Sequence, residues 1–164
     1  MKKQNSKFYW MGLLLVALCL LLLKAPAKGQ EALKWYKITE NDAAIIVLGA
    51  VAGTADGYNQ LIVHRGYGAG KPFWDFQTSW KRKYNDWDGG DKSSAYFGSK
   101  NIFVAFTDGF HLTRMIDRNA MLLSVGISAV ELKHYKKKDR WKVVVKKMII
   151  SGVSNRIAFN IIYK

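Results

Sequence analysis

The chain reads Ala43-Ala44-Ile45-Ile46-Val47-Leu48-Gly49-Ala50-Val51-Ala52-Gly53-Thr54-Ala55-Asp56-Gly57-Tyr58-Asn59-Gln60-Leu61-Ile62-Val63, 21 residues with one charge, Asp56. Gly49, Gly53 and Gly57 recur every four residues. On a helix they share one face, a small-residue pattern that lets helices approach closely in membranes. In a strand they would be a weakness. The spacing predicts a helix over 43–63, and its length suits a bilayer crossing.

Asp56 sits in a polar insert, Thr54-Ala55-Asp56-Gly57-Tyr58-Asn59, and the insert is echoed by Phe106-Thr107-Asp108-Gly109-Phe110-His111. A carboxylate in an apolar run is costly and asks for a reason. On helices, Asp56 with Asn59 and Asp108 with His111 are i,i+3 neighbours on one face. His64 lies near the end of the first helix, and Arg114 and Arg118 extend the His111 face. Facing helices that present such pairs build buried polar or metal sites. The expected polar cluster is therefore Asp56, Asn59, His64, Asp108, His111 and Arg114. Carboxylate and imidazole suit a divalent metal, with Asp56, His64, Asp108 and His111 as ligands. The alternative is structural, with the same groups satisfying one another across a helix interface. No zincin, phosphate loop or Ser-His-Asp pattern frames these residues.

A rival reading makes each Asp-Gly a turn. Asn101 to Thr107 and Phe110 to Ile116 would pair about Asp108-Gly109. Trp141 to Ile150 and Arg156 to Tyr163 would pair about residues 151–155. That reading predicts a secreted β-rich binding domain.

The start of the chain has the form of an export signal. Lys2, Lys3 and Lys7 precede an uncharged run of 16 residues, Phe8 to Leu23, and Ala25-Pro26-Ala27 offers a small-x-small cleavage pattern. Residues 1–27 read as a cleaved signal peptide or a retained anchor, and 28–164 as one domain. The only cysteine, Cys19, lies in the leader, which excludes an internal disulfide and a cysteine zinc site. Leu18 before it does not suit a lipoprotein signal. The formal charge of +14 points to an acidic partner. For an exported chain anionic lipid headgroups fit, and nucleic acid is not expected.

Residues 65–100 form a polar connection rich in tryptophan, with Phe73-Trp74 and Trp80-Lys81-Arg82-Lys83-Tyr84 as interface anchors. The run 101–130 fits one long tilted helix or two shorter pieces. A basic cluster, Lys133 to Arg140, precedes a last apolar run, Val143 to Tyr163. The positive-inside rule fits the 64–100 loop, with seven Lys and Arg, but not the 133–142 cluster if 101–130 crosses once.

The order of Asp56-Gly57, His64, Phe73-Trp74, Ser79-Trp80-Lys81-Arg82-Lys83-Tyr84, Phe97-Gly98-Ser99 and Thr107-Asp108-Gly109-Phe110-His111 is similar to that of a group of small uncharacterised membrane proteins of Bacteroidetes-type bacteria. The resemblance covers most of 43–163. Arg82 stands where that group tends to have Asn, and Lys100-Asn101 where Thr is usual. The resemblance implies a helical membrane architecture and carries no activity. The expectation is thus an all-α protein of the bacterial inner membrane, with about three apolar helices after the leader. Its leading function is an accessory or small-ligand-binding role. The second is a metal-dependent enzyme acting on a lipid or cell-envelope substrate.

Overall fold

The computed structural model describes residues 34–86, 91–101 and 103–164. The leader, with Cys19 and Ala25-Pro26-Ala27, lies outside the described residues. The protein is all-α: three long helices, α1 (Glu40–His64), α2 (Gly109–Leu132) and α3 (Arg140–Tyr163), with short 3-10 turns between them. There is no strand among the described residues beyond one isolated bridge, Tyr84 to Ala95. The β-rich alternative is therefore corrected. Asp108-Gly109 is a helix start and not a turn, and residues 151–155 lie in the middle of α3.

Local chemistry sets the helix starts. Thr39 Oγ1 accepts from the Asp42 N–H at 3.1 Å, and the Asp42 carboxylate accepts from the Thr39 N–H at 2.8 Å, a reciprocal cap on α1. Asp108 caps α2 by accepting from the His111 N–H at 2.8 Å. The run 101–130 is thus one helix that begins only at Gly109, after a turn over Val104–Phe106.

α1 is the central element, with α2 antiparallel on one side and α3 parallel on the other, while α2 and α3 barely touch. Towards α2 it buries Ile45, Leu48 and Ala52 against Ala120 and Ile127. Towards α3 it presents its glycines. A Cβ on Gly49 would meet Ser154 Oγ and, at 2.7 Å, the Ser151 carbonyl oxygen. One on Gly53 would overlap the Asn155 carbonyl oxygen, and one on Gly57 would lie 2.9 Å from Ile162 Cβ. The small-residue stripe does mark a close helix approach, but its partner is the last helix and not the second insert.

No described helix is long and apolar enough to cross a membrane. In α1 the segment from Thr54 to Gln60 is too polar. Arg114, Asp117 and Arg118 interrupt α2, and Lys142, Lys146, Lys147 and Arg156 interrupt α3. The apolar residues are nonetheless turned outward. On α3, Trp141, Val145, Ile149, Val153, Ile157 and Ile161 recur every four residues as an exposed stripe, and on α2 Leu122 and Val125 are exposed. The buried residues include Asp42, Asn59, Thr113, Ser124, Glu131, Lys147 and Ser151.

Candidate functional site

The two inserts meet, but not as mirror images. The first lies within α1 and the second straddles the start of α2. Their link is Asn59. Its amide donates to the Phe110 carbonyl at 3.0 Å and to Thr113 Oγ1 at 2.9 Å. The aromatic of each insert takes a ring from the 65–100 connection: Tyr58 packs on Tyr67, 5.6 Å between centroids, and Phe110 on Phe76 at 5.2 Å. The Gly109 N–H donates to the Phe73 carbonyl at 2.7 Å, and a Cβ on Gly109 would collide with the Trp74 ring. The connection thus seats on the end of α1 and the start of α2, and Gly109 is required by the approach of an indole.

Beside the Asn59 link, a cleft of about 310 Å³ opens between α1 and α2. Asp56, Asn59, Gln60, Val63 and His64 line it from α1, and Phe110, Thr113, Arg114, Asp117 and Arg118 from α2. Four of the six expected cluster residues, Asp56, Asn59, His64 and Arg114, are therefore together. Asp108 and His111 are not among them. Asp108 is buried and holds His111 Nδ1 between its oxygens at 2.8 and 2.9 Å, with Thr107 Oγ1 donating at 3.2 Å and the Lys83 ammonium forming a looser ion pair at 3.8 Å. This pair fixes the start of α2. The four expected metal ligands are not gathered in one place: Asp56 and His64 line the cleft, Asp108 caps α2 and holds His111, and no group of three or more His, Cys, Asp or Glu among the described residues is placed to hold a metal ion.

No protein-family model, curated protein or solved structure matches this chain.

Asp117, in the sequence only an interruption of an apolar run, lines the cleft as well. Partial burial, then the charge of Asp56 across the cleft, raise its carboxyl above the usual range, while Arg118 and Arg114 pull it back. Arg114 stacks over Phe110, 5.2 Å from the ring centroid.

A second polar centre, at the opposite end of α1, escaped the sequence reading. Lys147, 2% exposed, donates to Asp42 Oδ1 at 2.9 Å and to Glu131 Oε2 at 2.6 Å. Lys146 donates to Asp42 Oδ2 at 2.7 Å, and the Tyr135 hydroxyl to Glu131 Oε1 at 2.8 Å. All three helices meet here, with charges balanced two against two. The signal was present: Lys146-Lys147 is a charged pair inside an apolar run, the same oddity that singled out Asp56.

Burial alone would push the Asp42 and Glu131 carboxyls up. For Asp42, hydrogen bonds from Lys146 and Lys147 more than offset it, and for Glu131 those from Lys147 and Tyr135 do, so both sit below their ordinary values of 3.8 and 4.5. Their folded-state pKa lies below the unfolded one, so the stabilisation is complete above the unfolded pKa and disappears as pH falls through the folded one. Urea unfolding followed by circular dichroism should give a midpoint that is flat from about pH 7 to about pH 5 and falls steeply below about pH 4. Asp42→Asn should flatten that fall.

Proposed function

We propose that this is a membrane-associated helical protein of the bacterial inner membrane, acting on the outer side as an accessory protein that binds a small polar ligand in the α1–α2 cleft. The observation that carries membrane association is the inverted distribution of polarity. Lys147, Glu131 and Asp42 are 0–2% exposed while Leu122, Met148 and Ile161 are 67–69% exposed. A bundle that kept water outside would place these groups the other way round. Isolated exposed aliphatics are ordinary, but a continuous stripe along a 24-residue helix calls for an apolar neighbour.

The occupant that fits is lipid bearing negative headgroups. The net charge is +14, and the basic cluster Lys133 to Arg140 leads directly into the stripe. Beside it Lys142 lies 5.2 Å over the Trp35 ring and 5.9 Å from that of Trp141. Indoles with lysines at one end of an apolar face suit the headgroup layer.

Flotation of the full chain with phosphatidylcholine vesicles, with and without phosphatidylglycerol, tests this. The chain should float with both and more strongly with the anionic set. Because an apolar leader could float by itself, the deciding variant is Ile149→Glu with Ile157→Glu. Charges at membrane depth cost roughly 2–4 kcal/mol each, so the pair should lower partitioning at least about tenfold. Unchanged flotation of this variant, or release of a folded wild-type protein by carbonate, would remove the reading.

A further inference from the structure

The cleft holds side chains of both signs. Arg114 and Arg118 stand one turn apart on α2, and Asp56 on α1 lies close enough to Asp117 to influence its charge. Among the described residues neither arginine closes an ion pair with a carboxylate, and neither carboxylate accepts a hydrogen bond from a side chain. Arg114 stacks over the Phe110 ring and acts on Asp117 only through its charge, without a hydrogen bond. Charged groups that converge on a cavity without consuming one another leave their hydrogen-bonding capacity to a ligand.

A second observation lies on Asn59, which is 7% exposed. Both of its bonds to α2 are donated by the amide nitrogen. Its Oδ1 accepts no hydrogen bond among those found in the described residues. Asn59 lines the cleft, and a side-chain oxygen that accepts nothing within the protein has capacity for a donor bound there.

The charges sum to zero, two arginines against two aspartates. An anion would be drawn to Arg114 and Arg118 but repelled by the two carboxylates. A simple cation would meet the converse. A ligand that carries both signs satisfies both sets. We propose that the cleft binds a small zwitterion with a primary ammonium and an acid group. The acid lies on Arg114 and Arg118, and the ammonium donates to Asp56, Asp117 and Asn59 Oδ1. A quaternary ammonium has no N–H to give these acceptors. It would need an aromatic cage, whereas the single aromatic of the cleft, Phe110, already lies under Arg114. Two arginines suit a phosphodiester or a carboxylate equally in sign, with forked donors for either. The inference rests on the cleft being a ligand site and is independent of membrane association.

Calorimetric titration of the full chain in detergent tests it with soluble probes. Glycerophosphoethanolamine and β-alanine carry both groups, with a phosphodiester and a carboxylate respectively. Glycerophosphate and ethanolamine carry one sign each, and glycerophosphocholine lacks the ammonium N–H. At least one of the first two should bind with a dissociation constant about tenfold or more below all of the last three. The one that binds identifies the acid group, a lipid headgroup source for the first and an amino-acid source for the second. Asp117→Asn, which keeps side-chain size, should weaken zwitterion binding about tenfold with helicity unchanged by circular dichroism. Equal affinity for glycerophosphate or ethanolamine would overturn the zwitterion class while leaving a ligand cleft. No heat with any probe, with Asp117→Asn indistinguishable from wild type, would overturn the ligand site itself.

Discussion

Lys147→Met should destabilise the protein by about 3–5 kcal/mol, the cost typical of removing one partner from a buried ion pair. Lys147 is 2% exposed and bridges Asp42 at 2.9 Å to Glu131 at 2.6 Å. Without it Glu131 keeps neutral donors, among them the Tyr135 hydroxyl, Thr39 Oγ1 at 3.2 Å and the Asn41 side chain. Asp42 keeps Lys146. The larger share of the loss therefore falls on Glu131 and on the hold between α2 and α3. The informative comparison is the triple change Asp42→Leu, Glu131→Met, Lys147→Met. Apolar replacement of a whole buried cluster is often neutral or better, because the desolvation of the ions is removed along with their attraction. The triple variant should recover most of the loss in chemical denaturation. If it is as unstable as the single variant, hydrogen bonding and packing around Tyr135 and Thr39 outweigh electrostatics.

Gly53→Ala should cost about 1–3 kcal/mol or more, with Gly53→Leu preventing α3 from docking. The added methyl would overlap the Asn155 carbonyl oxygen and lie 2.7 Å from the Asn155 carbonyl carbon. Both are backbone atoms of a helix, which cannot move aside as a side chain would. Alanine favours a helix over glycine by about 1 kcal/mol, so the steric cost must exceed that gain to appear. Gly126→Ala and Gly152→Ala isolate the two effects, since a Cβ at either position meets nothing within 4 Å. Those two should raise the thermal midpoint by a few degrees while Gly53→Ala lowers it. A neutral Gly53→Ala would mean that α1 and α3 are not held at backbone distance.

The glycine stripe was legible because glycines every four residues weaken a strand but give a helix one face that allows close approach. Its partner was not legible, because Ser151, Asn155 and Ile162 become its complement only when α3 lies parallel to α1. The Asp-Gly pairs show the opposite limit. Asp56-Gly57 continues a helix and Asp108-Gly109 starts one, and the difference lies in Phe73 and Trp74, some 35 positions earlier in the chain, which take the Gly109 N–H and close over its Cα. Asn59, Asp56, His64 and Arg114 were found because polar groups in apolar runs stand out. Asp108 and His111 satisfy the same criterion, but local capping consumes the carboxylate before it can reach across to α1. Asp117 was passed over because, in sequence, it sits between two arginines and reads as an ordinary exposed pair. Only the fold brings it within reach of the Asp56 charge, while both arginines still act on it.

The near-absence of contact between α2 and α3 has a mechanical consequence. Each outer helix is mounted separately on α1, α3 along a rigid backbone seam and α2 along a softer seam of side chains. At the far end Glu131 and Lys147 form a crosslink from α2 to α3. The arrangement is that of a lever with its fulcrum at one end. A small rotation of α2 about the charged joint would be greatest at the opposite tip, where the Asn59 amide bonds to Phe110 and Thr113 resist it, so the two ends of α1 share the load.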